Sequence, residues 1–176
     1  MNIEYQKLNF CNLEAYRKIR LESLKEYPDS FGASYEDQKV KEKLGFEEYI
    51  EQELPDKFIV GAFDTAKLIG ICGFFRQDNA RRKNAGEIIQ MYVQPKYQRN
   101  MVGYWLLQTT LEEAFKIPEI DNIELGVFTA NQNANTLFDN AGFEEYGLIE
   151  SHVNDLGKKL DRRLMVLSRE MQRTYS

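Results

Sequence analysis

The stretch from Glu87 to Leu107, EIIQMYVQPKYQRNMVGYWLL, contains the arrangement most able to bind a charged ligand. An apolar strand is followed by a polar turn that leads directly into a helix. The first amides of a helix have no partners within it, and together with the helix dipole they attract phosphate. Gly103 lets a ligand approach the backbone closely, and Lys96 and Arg99 add positive charge. The segment therefore favours a pyrophosphate site, although from periodicity alone an ordinary strand-to-helix connection is the simpler interpretation.

The composition is that of one folded domain spanning residues 1–176. Apolar residues make up 43%, enough for a sizeable core. The 23 lysines and arginines against 28 aspartates and glutamates give a net charge of −5, which argues against a nucleic-acid partner. No apolar run approaches the roughly 20 residues of a membrane span, and the first ten residues contain no secretory signal. We therefore expect no membrane partner and a cytoplasmic location.

Two cysteines, Cys11 and Cys72, are too few for a disulfide framework or a cysteine-rich metal site. In a reducing compartment we expect both to be buried thiols. No other residue pattern implies a metal.

The periodicity of apolar residues predicts alternating strands and helices, and hence a mixed α/β domain. Asn12 is expected to cap the first helix, Gly45 to divide the second helical stretch, and Gly142 to adopt a left-handed cap. A turn is expected at residues 155–157. The predicted strands cover residues 3–8, 58–63, 68–75, 87–93, 123–128, 143–154 and 160–168, and the predicted helices cover 12–27, 34–54, 101–115 and 131–140.

The turn after the Glu87 strand resembles the acyl-CoA-binding motif of the GNAT superfamily of N-acetyltransferases. In that family, a Val-x-Pro-like strand end is followed by Gln or Arg, two residues, Gly, one residue, then Gly or Ala. Gln98 and Gly103 match the outer positions, whereas Met101 stands where the first glycine belongs.

Further motifs extend the resemblance over nearly the whole chain. LGVFTANQNANTLFDNAGFEEYG resembles the later strand, helix and Gly-Phe corner of the family. DLGKKLDRRLMVL resembles its closing hairpin, and RLESLKEYPDSFGAS resembles the first helix and loop of many bacterial members. The resemblance implies a central mixed, mostly antiparallel sheet with a V-shaped opening between strands 4 and 5, flanked by helices.

The same resemblance implies where acetyl-CoA would bind. Backbone groups of Met91 and Val93 would hold the thioester and the pantetheine arm, with the Met91 N–H as the oxyanion donor. Asn131 would cap the later helix and reach the pantetheine arm, and Phe138 would lie beside the thioester. The pyrophosphate would be held by the turn that comprises Gln98, Arg99, Asn100, Met101, Val102, Gly103 and Tyr104.

Glu87 is the candidate general base, because the histone-acetylating branch of the family has its glutamate at the matching strand start. An attacking amine must lose a proton, which requires a base poised near neutrality. Alternation places Glu87, Ile89, Met91 and Val93 on one face, and apolar neighbours would raise the pKa of the carboxyl. A solvent-facing glutamate at a strand end is an equally good interpretation.

Phe138 occupies the position where many family members carry a tyrosine that protonates the departing thiolate. Phenylalanine cannot donate a proton, so Tyr104 or Tyr146 would have to serve, or no acid is needed. The sequence thus predicts an acetyl-CoA-dependent N-acetyltransferase acting on a primary amine in a ternary complex. The competing hypothesis is a catalytically silent acyl-CoA-binding protein. A homodimer would be usual for the family.

Overall fold

The computed structural model describes residues 2–79, 82–153 and 157–175, and its centre is a seven-stranded sheet in the order β1-β2-β3-β4-β5-β7-β6. The strands are β1 (Ile3–Lys7), β2 (Lys57–Asp64), β3 (Lys67–Arg76), β4 (Ala85–Val93), β5 (Asn122–Phe128), β6 (Glu144–Val153) and β7 (Lys159–Ser168). The helices are α1 (Leu13–Glu26), α2 (Tyr35–Lys39), α3 (Gly45–Glu51), α4 (Val102–Phe115), α5 (Gln132–Asn140) and α6 (Arg169–Tyr175).

Every neighbouring pair of strands is antiparallel except β4 and β5, which run parallel. Their pairing extends over three residue pairs, from Ala85 with Asn122 to Glu87 with Glu124. Beyond Glu87, β4 continues along β3 while β5 continues along β7. The two strands therefore separate into a wedge-shaped gap, and the predicted fold class is confirmed.

The sheet has an apolar core on each face. On one face, hereafter the α4 face, Leu106, Leu107 and Leu111 of α4 pack against the central strands. On the other, hereafter the α1 face, Tyr16, Ile19 and residues of α3 pack against β2 and β3. A fully buried Leu or Ile side chain contributes roughly 1.5–3 kcal/mol. The two cores fix the central strands from both sides and hold the gap open at their edge.

A β-bulge interrupts β4 at Gln90, whose φ of 53° lies in the left-handed region. Ile71 pairs with Tyr92 and Gly73 with Ile89, so β4 has one more residue than β3 between these pairs. The extra residue reverses the alternation of side chains. Ile89 packs on the α1 face, whereas Met91 packs on the α4 face.

The prediction that Glu87, Ile89, Met91 and Val93 share one face is therefore wrong. Glu87 pairs with Phe75 on the α1 face, and Val93 belongs to the core of the α4 face. Strict alternation holds only for an uninterrupted strand, and the apolar pattern of β4 itself does not mark the extra residue.

Several local expectations need correction. Asn12 stands at the N-cap position of α1, but its side chain accepts from the Asn9 amide instead of capping that helix. Gly45 is the first residue of α3, and the interruption between helices comes before it. Cys72 is buried but Cys11 is exposed. Gly142 has the expected positive φ of 87°. The turn expected at residues 155–157 falls mostly outside the described residues.

Arg169, at the start of the α6 helix that the periodicity did not predict, closes the carboxyl end of α4. Its guanidinium donates to the carbonyl oxygens of Phe115 at 2.8 Å, Ile117 at 2.8 Å and Ile120 at 3.0 Å. It also lies over the Phe115 ring. The last carbonyls of a helix lack partners within it, and this side chain satisfies that of Phe115 together with carbonyls of the segment that follows α4.

Replacement of Arg169 by alanine should lower the free energy of unfolding by about 3 kcal/mol, because charge-assisted hydrogen bonds are lost and carbonyl groups are left without partners. Urea denaturation monitored by circular dichroism measures the change. Lys116→Ala, which removes an exposed charge in the same region, should change it by less than about 1 kcal/mol. Equal effects of the two substitutions would contradict this role for Arg169.

Candidate active site

The gap between β4 and β5 contains a cavity of about 390 Å³, which is lined mainly from the α4 face but also by Phe31 and Tyr92 of the α1 face. Met91 and Val93 form its wall on the side of β4, and Leu137 and Phe138 form the wall on the side of α5. Gly103, in the first turn of α4, forms part of the floor. The predicted strand, turn and later helix thus surround one cavity.

The backbone of β4 presents polar groups to this gap. Gln94 N–H donates to Ile69 O on β3 at 2.9 Å, and peptide groups alternate in direction along a strand. The peptide groups of Val93 therefore point away from β3 toward the gap, and by the same alternation so do those of Met91. The side chain of Gln98 donates to the Val93 carbonyl at 2.8 Å, which anchors the turn to the strand.

The first turn of α4 faces the cavity, and its backbone N–H groups have no acceptors within the helix. Its N-cap residue, Met101, makes no side-chain cap hydrogen bond, and the first backbone bond of the helix runs from Trp105 N–H to Met101 O at 3.0 Å. The amides of residues 102–104 come before that bond. They form an anion site at the positive end of the helix dipole.

Met101 adopts a left-handed conformation, with φ 61° and ψ 1°. This explains physically why the motif prefers glycine here, since a Cβ atom is unfavourable in this region. The Met101 side chain is 57% exposed and loses little by turning outward. Methionine in place of glycine thus preserves the turn but strains its backbone.

The residues predicted for the turn divide into two groups. Gln98, Arg99, Met101, Gly103 and Tyr104 line the cavity. The other two do not, since Val102 is buried in the core and Asn100 donates to the Gln98 carbonyl at 3.3 Å. The Lys96 ammonium lies over the Tyr97 ring, outside the cavity lining.

Asn131 caps α5, as the sequence predicts, by accepting from Ala134 N–H at 3.2 Å. Its amide also approaches Ser30 Oγ at 3.4 Å, which joins α5 to the loop after α1. Phe138 packs edge-on against Phe143 and is buried. Of the two hydroxyl groups considered in its place, Tyr104 lines the cavity, whereas Tyr146 lies on the α1 face beside Glu124 at 3.3 Å.

Glu87 lies at the vertex of the gap, on the α1 face. Its side chain is 28% exposed, and burial raises the pKa of the carboxyl. The Arg162 guanidinium, 3.9 Å from Glu87 Oε1, and Arg82 oppose that rise, whereas the neighbouring Glu124 adds to it. Gln77 Nε2 stands 3.5 Å from the other oxygen. A partly desolvated carboxylate with a raised pKa suits proton abstraction near neutral pH.

Sequence reasoning missed the groups that surround Glu87. Glu124 is brought beside it by the short parallel pairing, and Arg162 comes from β7. Arg82 forms an ion pair with Glu124. No spacing in the sequence connects these residues, because each lies on a different strand or loop. Tyr27, at the end of α1, also lines the cavity and was missed.

Within the described ranges, no group of three or more His, Cys, Asp or Glu side chains could hold a metal ion. Nor is any helix there long and apolar enough to span a membrane.

Comparison with known proteins agrees with this geometry. The model of the acetyltransferase (GNAT) family matches residues 18–143. No curated protein matches the sequence. Among solved structures, a GNAT-family acetyltransferase from Streptococcus pneumoniae superposes with a TM-score of 0.78 at 19% identity, covering 95% of this chain and 99% of that one.

Two further structures contain acetyl-CoA. The yncA protein from Salmonella typhimurium, solved with its cofactor acetyl-CoA, has a TM-score of 0.79 at 16% identity, covering 96% of this chain and 94% of that one. Arabidopsis thaliana NAA60 in complex with acetyl-CoA has a TM-score of 0.73 at 17% identity, covering 96% and 99%. At these identities the likeness establishes a shared fold.

Met101→Gly should raise the free energy of unfolding by about 1 kcal/mol, because glycine adopts the left-handed conformation without the strain of a Cβ atom. Met101→Ala is the matched control, since it shortens the side chain but keeps the Cβ, and it should give no such gain. Urea denaturation of the three proteins measures the difference. A glycine variant no more stable than the alanine variant would show that the turn is unstrained.

Proposed function

The chain belongs to the GNAT acetyltransferase family, and we propose that it transfers an acetyl group from acetyl-CoA to a primary amine by direct attack within a ternary complex. The observation that carries the proposal is the gap between β4 and β5, which joins a cavity with an anion site on one face to a partly buried carboxylate on the other.

The residues around the cavity fit acetyl-CoA. The uncapped amides at the start of α4 and the side chain of Arg99 would bind the pyrophosphate. The backbone groups of Met91 and Val93 that face the gap would bind the pantetheine arm, as a strand pairs with a neighbour. Apolar side chains of α5 would cover its other side, with Phe138 beside the thioester.

The thioester supplies an activated acyl group that an amine can attack. The Met91 N–H, at the free edge of β4, would donate to its carbonyl oxygen, where negative charge develops. The bulge at Gln90 supports this role because it directs the Met91 side chain into the α4-face core while leaving the peptide group at the edge. Loss of one such donor typically costs about 10²–10³ in kcat.

Glu87 would accept the proton of the attacking amine. Because Glu87 lies on the α1 face and the anion site at the start of α4 lies on the α4 face, the amine would approach from the α1 face, opposite the pyrophosphate. The ionised carboxylate attracts an ammonium group, and its raised pKa allows it to hold the released proton.

The departing thiolate has no proton donor at Phe138. A thiol has a pKa of about 8.5, so thiolate is a tolerable leaving group, and Tyr104 is the hydroxyl-bearing residue among the predicted donors that lines the cavity. The competing function, acyl-CoA binding without transfer, is favoured by Phe138 and by the strained Met101 turn.

Gly103→Val tests the binding half of the proposal, with Gly103→Ala as the matched control, because the family motif accepts glycine or alanine at this position. The Cβ atom common to both variants would lie 3.7 Å from Met91 Cε and 3.8 Å from Leu137 Cδ2, an ordinary contact distance. The two further methyl groups of valine would enter the space left for the ligand. By isothermal titration calorimetry, we expect acetyl-CoA to bind the wild-type protein and the alanine variant at micromolar concentration, and the valine variant at least about tenfold more weakly.

Desulfo-CoA, titrated in the same way, separates the nucleotide contacts from those of the thioester. Gly103→Val should weaken the binding of both forms of CoA to a similar extent. An absence of binding to the folded wild-type protein at millimolar ligand would contradict the proposed site.

Glu87→Gln tests catalysis. The amide keeps the shape of the side chain but cannot accept the proton, so kcat should fall by about 10²- to 10⁴-fold while acetyl-CoA affinity stays unchanged. Release of CoA, detected by thiol titration across an amine panel, measures turnover. A fully active variant would show that the base is another group. Turnover absent from the wild-type protein, with acetyl-CoA bound, would favour the silent binding function.

The pH dependence follows from the same residue. Only ionised Glu87 can act as base, and burial raises its pKa, so activity should be lost as pH falls through a value above the ordinary range of glutamate. Because Arg162 lowers that pKa, Arg162→Gln should shift the acidic limb of the kcat/KM profile to higher pH. A shift to lower pH would contradict the assignment of this limb to Glu87.

A further inference from the structure

Among the residues that the structure describes, Arg162 carries the positive charge nearest Glu87, and its guanidinium has few hydrogen-bond partners in the protein. Its side chain is 30% exposed, and its one ion pair reaches Glu87 Oε1 at 3.9 Å, beyond hydrogen-bond distance. Within residues 2–79, 82–153 and 157–175 it makes no hydrogen bond. Five N–H donors of a largely covered guanidinium therefore remain available on the α1 face.

Other partly buried arginines of the chain use their donors differently. Arg17 donates to both oxygens of Glu47 and to two backbone carbonyls. Arg163, the sequence neighbour of Arg162, donates to Glu145, Asn135 and Asp139 on the opposite face. Arg169 donates to the end of α4. These three are structural, and Arg162 differs from them in having its donors free.

The fold makes room for Arg162 in this position. Its guanidinium lies flat over Gly126 of β5, where a Cβ atom would stand 2.1 Å from Arg162 Nε and 2.4 Å from Cζ. Gly126 comes two residues after Glu124, the last residue of β5 paired with β4. The guanidinium is thus held at the mouth of the gap, on the face from which the acceptor amine would approach.

We propose that Arg162 binds a carboxylate group of the acceptor, so that the acceptor is a small amino acid whose amine faces Glu87. This inference rests on the proposed function of the same site. A guanidinium binds carboxylate through two parallel hydrogen bonds. Since the two protein groups lie 3.9 Å apart, the amine and carboxylate they bind are separated by one or two carbon atoms, as in an α- or β-amino acid.

The charges around Glu87 and Arg162 favour a zwitterionic ligand over an anionic or a cationic one. Glu87, Glu124, Arg82 and Arg162 sum to zero, and a zwitterionic ligand leaves that balance unchanged. A phosphate dianion would add two negative charges to this neutral group without the compensating positive charge that an amine brings. A diamine would leave the guanidinium donors without an acceptor.

Direct binding measurements test the inference without requiring turnover. Standard amino acids and their α-carboxamides are titrated calorimetrically into the protein, with and without desulfo-CoA. The carboxamide keeps the shape but removes the charge. At least one amino acid should bind about tenfold to a hundredfold more tightly than its carboxamide, as expected for a charge-assisted hydrogen-bonded pair.

Three variants assign that preference to Arg162. Arg162→Gln should abolish it, and in the transfer reaction the loss should fall on KM more than on kcat. Gly126→Ala should abolish it too, because the new methyl group displaces the end of a flexible side chain while the arginine remains. Arg82→Gln removes a nearby positive charge that is paired with Glu124, and it should retain the preference.

The inference is overturned if no amino acid binds more tightly than its carboxamide, or if the preference survives in Arg162→Gln. Acetyl transfer to amines that lack a carboxylate, at kcat/KM equal to that for the matched amino acids, would overturn it while leaving the proposed function intact. Conversely, Arg162-dependent binding of amino acids without acetyl-CoA binding would refute the proposed function but not this site.

Discussion

The separation of β4 from β5 is the constraint on which the site depends. Backbone N–H and C=O groups inside a protein require partners, and a sheet normally supplies them from the next strand. Here β5 leaves β4 after Glu87 and pairs with β7, so the edge of β4 near Met91 and Val93 lacks a neighbouring strand. A ligand with its own polar groups can take that place, which makes the interruption of the sheet the origin of the cavity.

Because of the bulge at Gln90, the two faces of the sheet carry different functional groups beside the gap. Because it reverses the alternation, β4 presents Glu87 to the α1 face and the side chains of Met91 and Val93 to the α4 face. The Tyr16 hydroxyl donates to the Gln90 side chain at 2.8 Å and so joins α1 to the bulge. The nucleotide binding and proton transfer that we propose would then take place on opposite sides of the sheet.

Three of the six non-glycine residues with positive φ in the described part of the chain belong to the strand and the turn that form the cavity. They are Gln90, Arg99 and Met101, with φ values between 53° and 63°. Such conformations cost about 1–3 kcal/mol each and persist where the surrounding structure imposes them. Two of these residues shape the turn into α4, and the third shapes the strand edge. The two apolar cores offset this free-energy cost, and their buried side chains hold the turn and the strand in place.

The sequence by itself determined the order of the strands and of the helices before α6, the turn into α4, the cap at Asn131 and the family, because these depend on local periodicity, capping chemistry and short motifs. It placed Glu87 correctly near the start of a strand, but wrongly put Met91 and Val93 on the same face as Glu87. Only the tertiary structure decided which face each residue of β4 occupies and which groups surround Glu87. The physical reason is that one extra residue reverses the side-chain alternation of a strand, and that Glu124, Arg82 and Arg162 meet Glu87 only through strand pairing and loop packing, which no local pattern encodes.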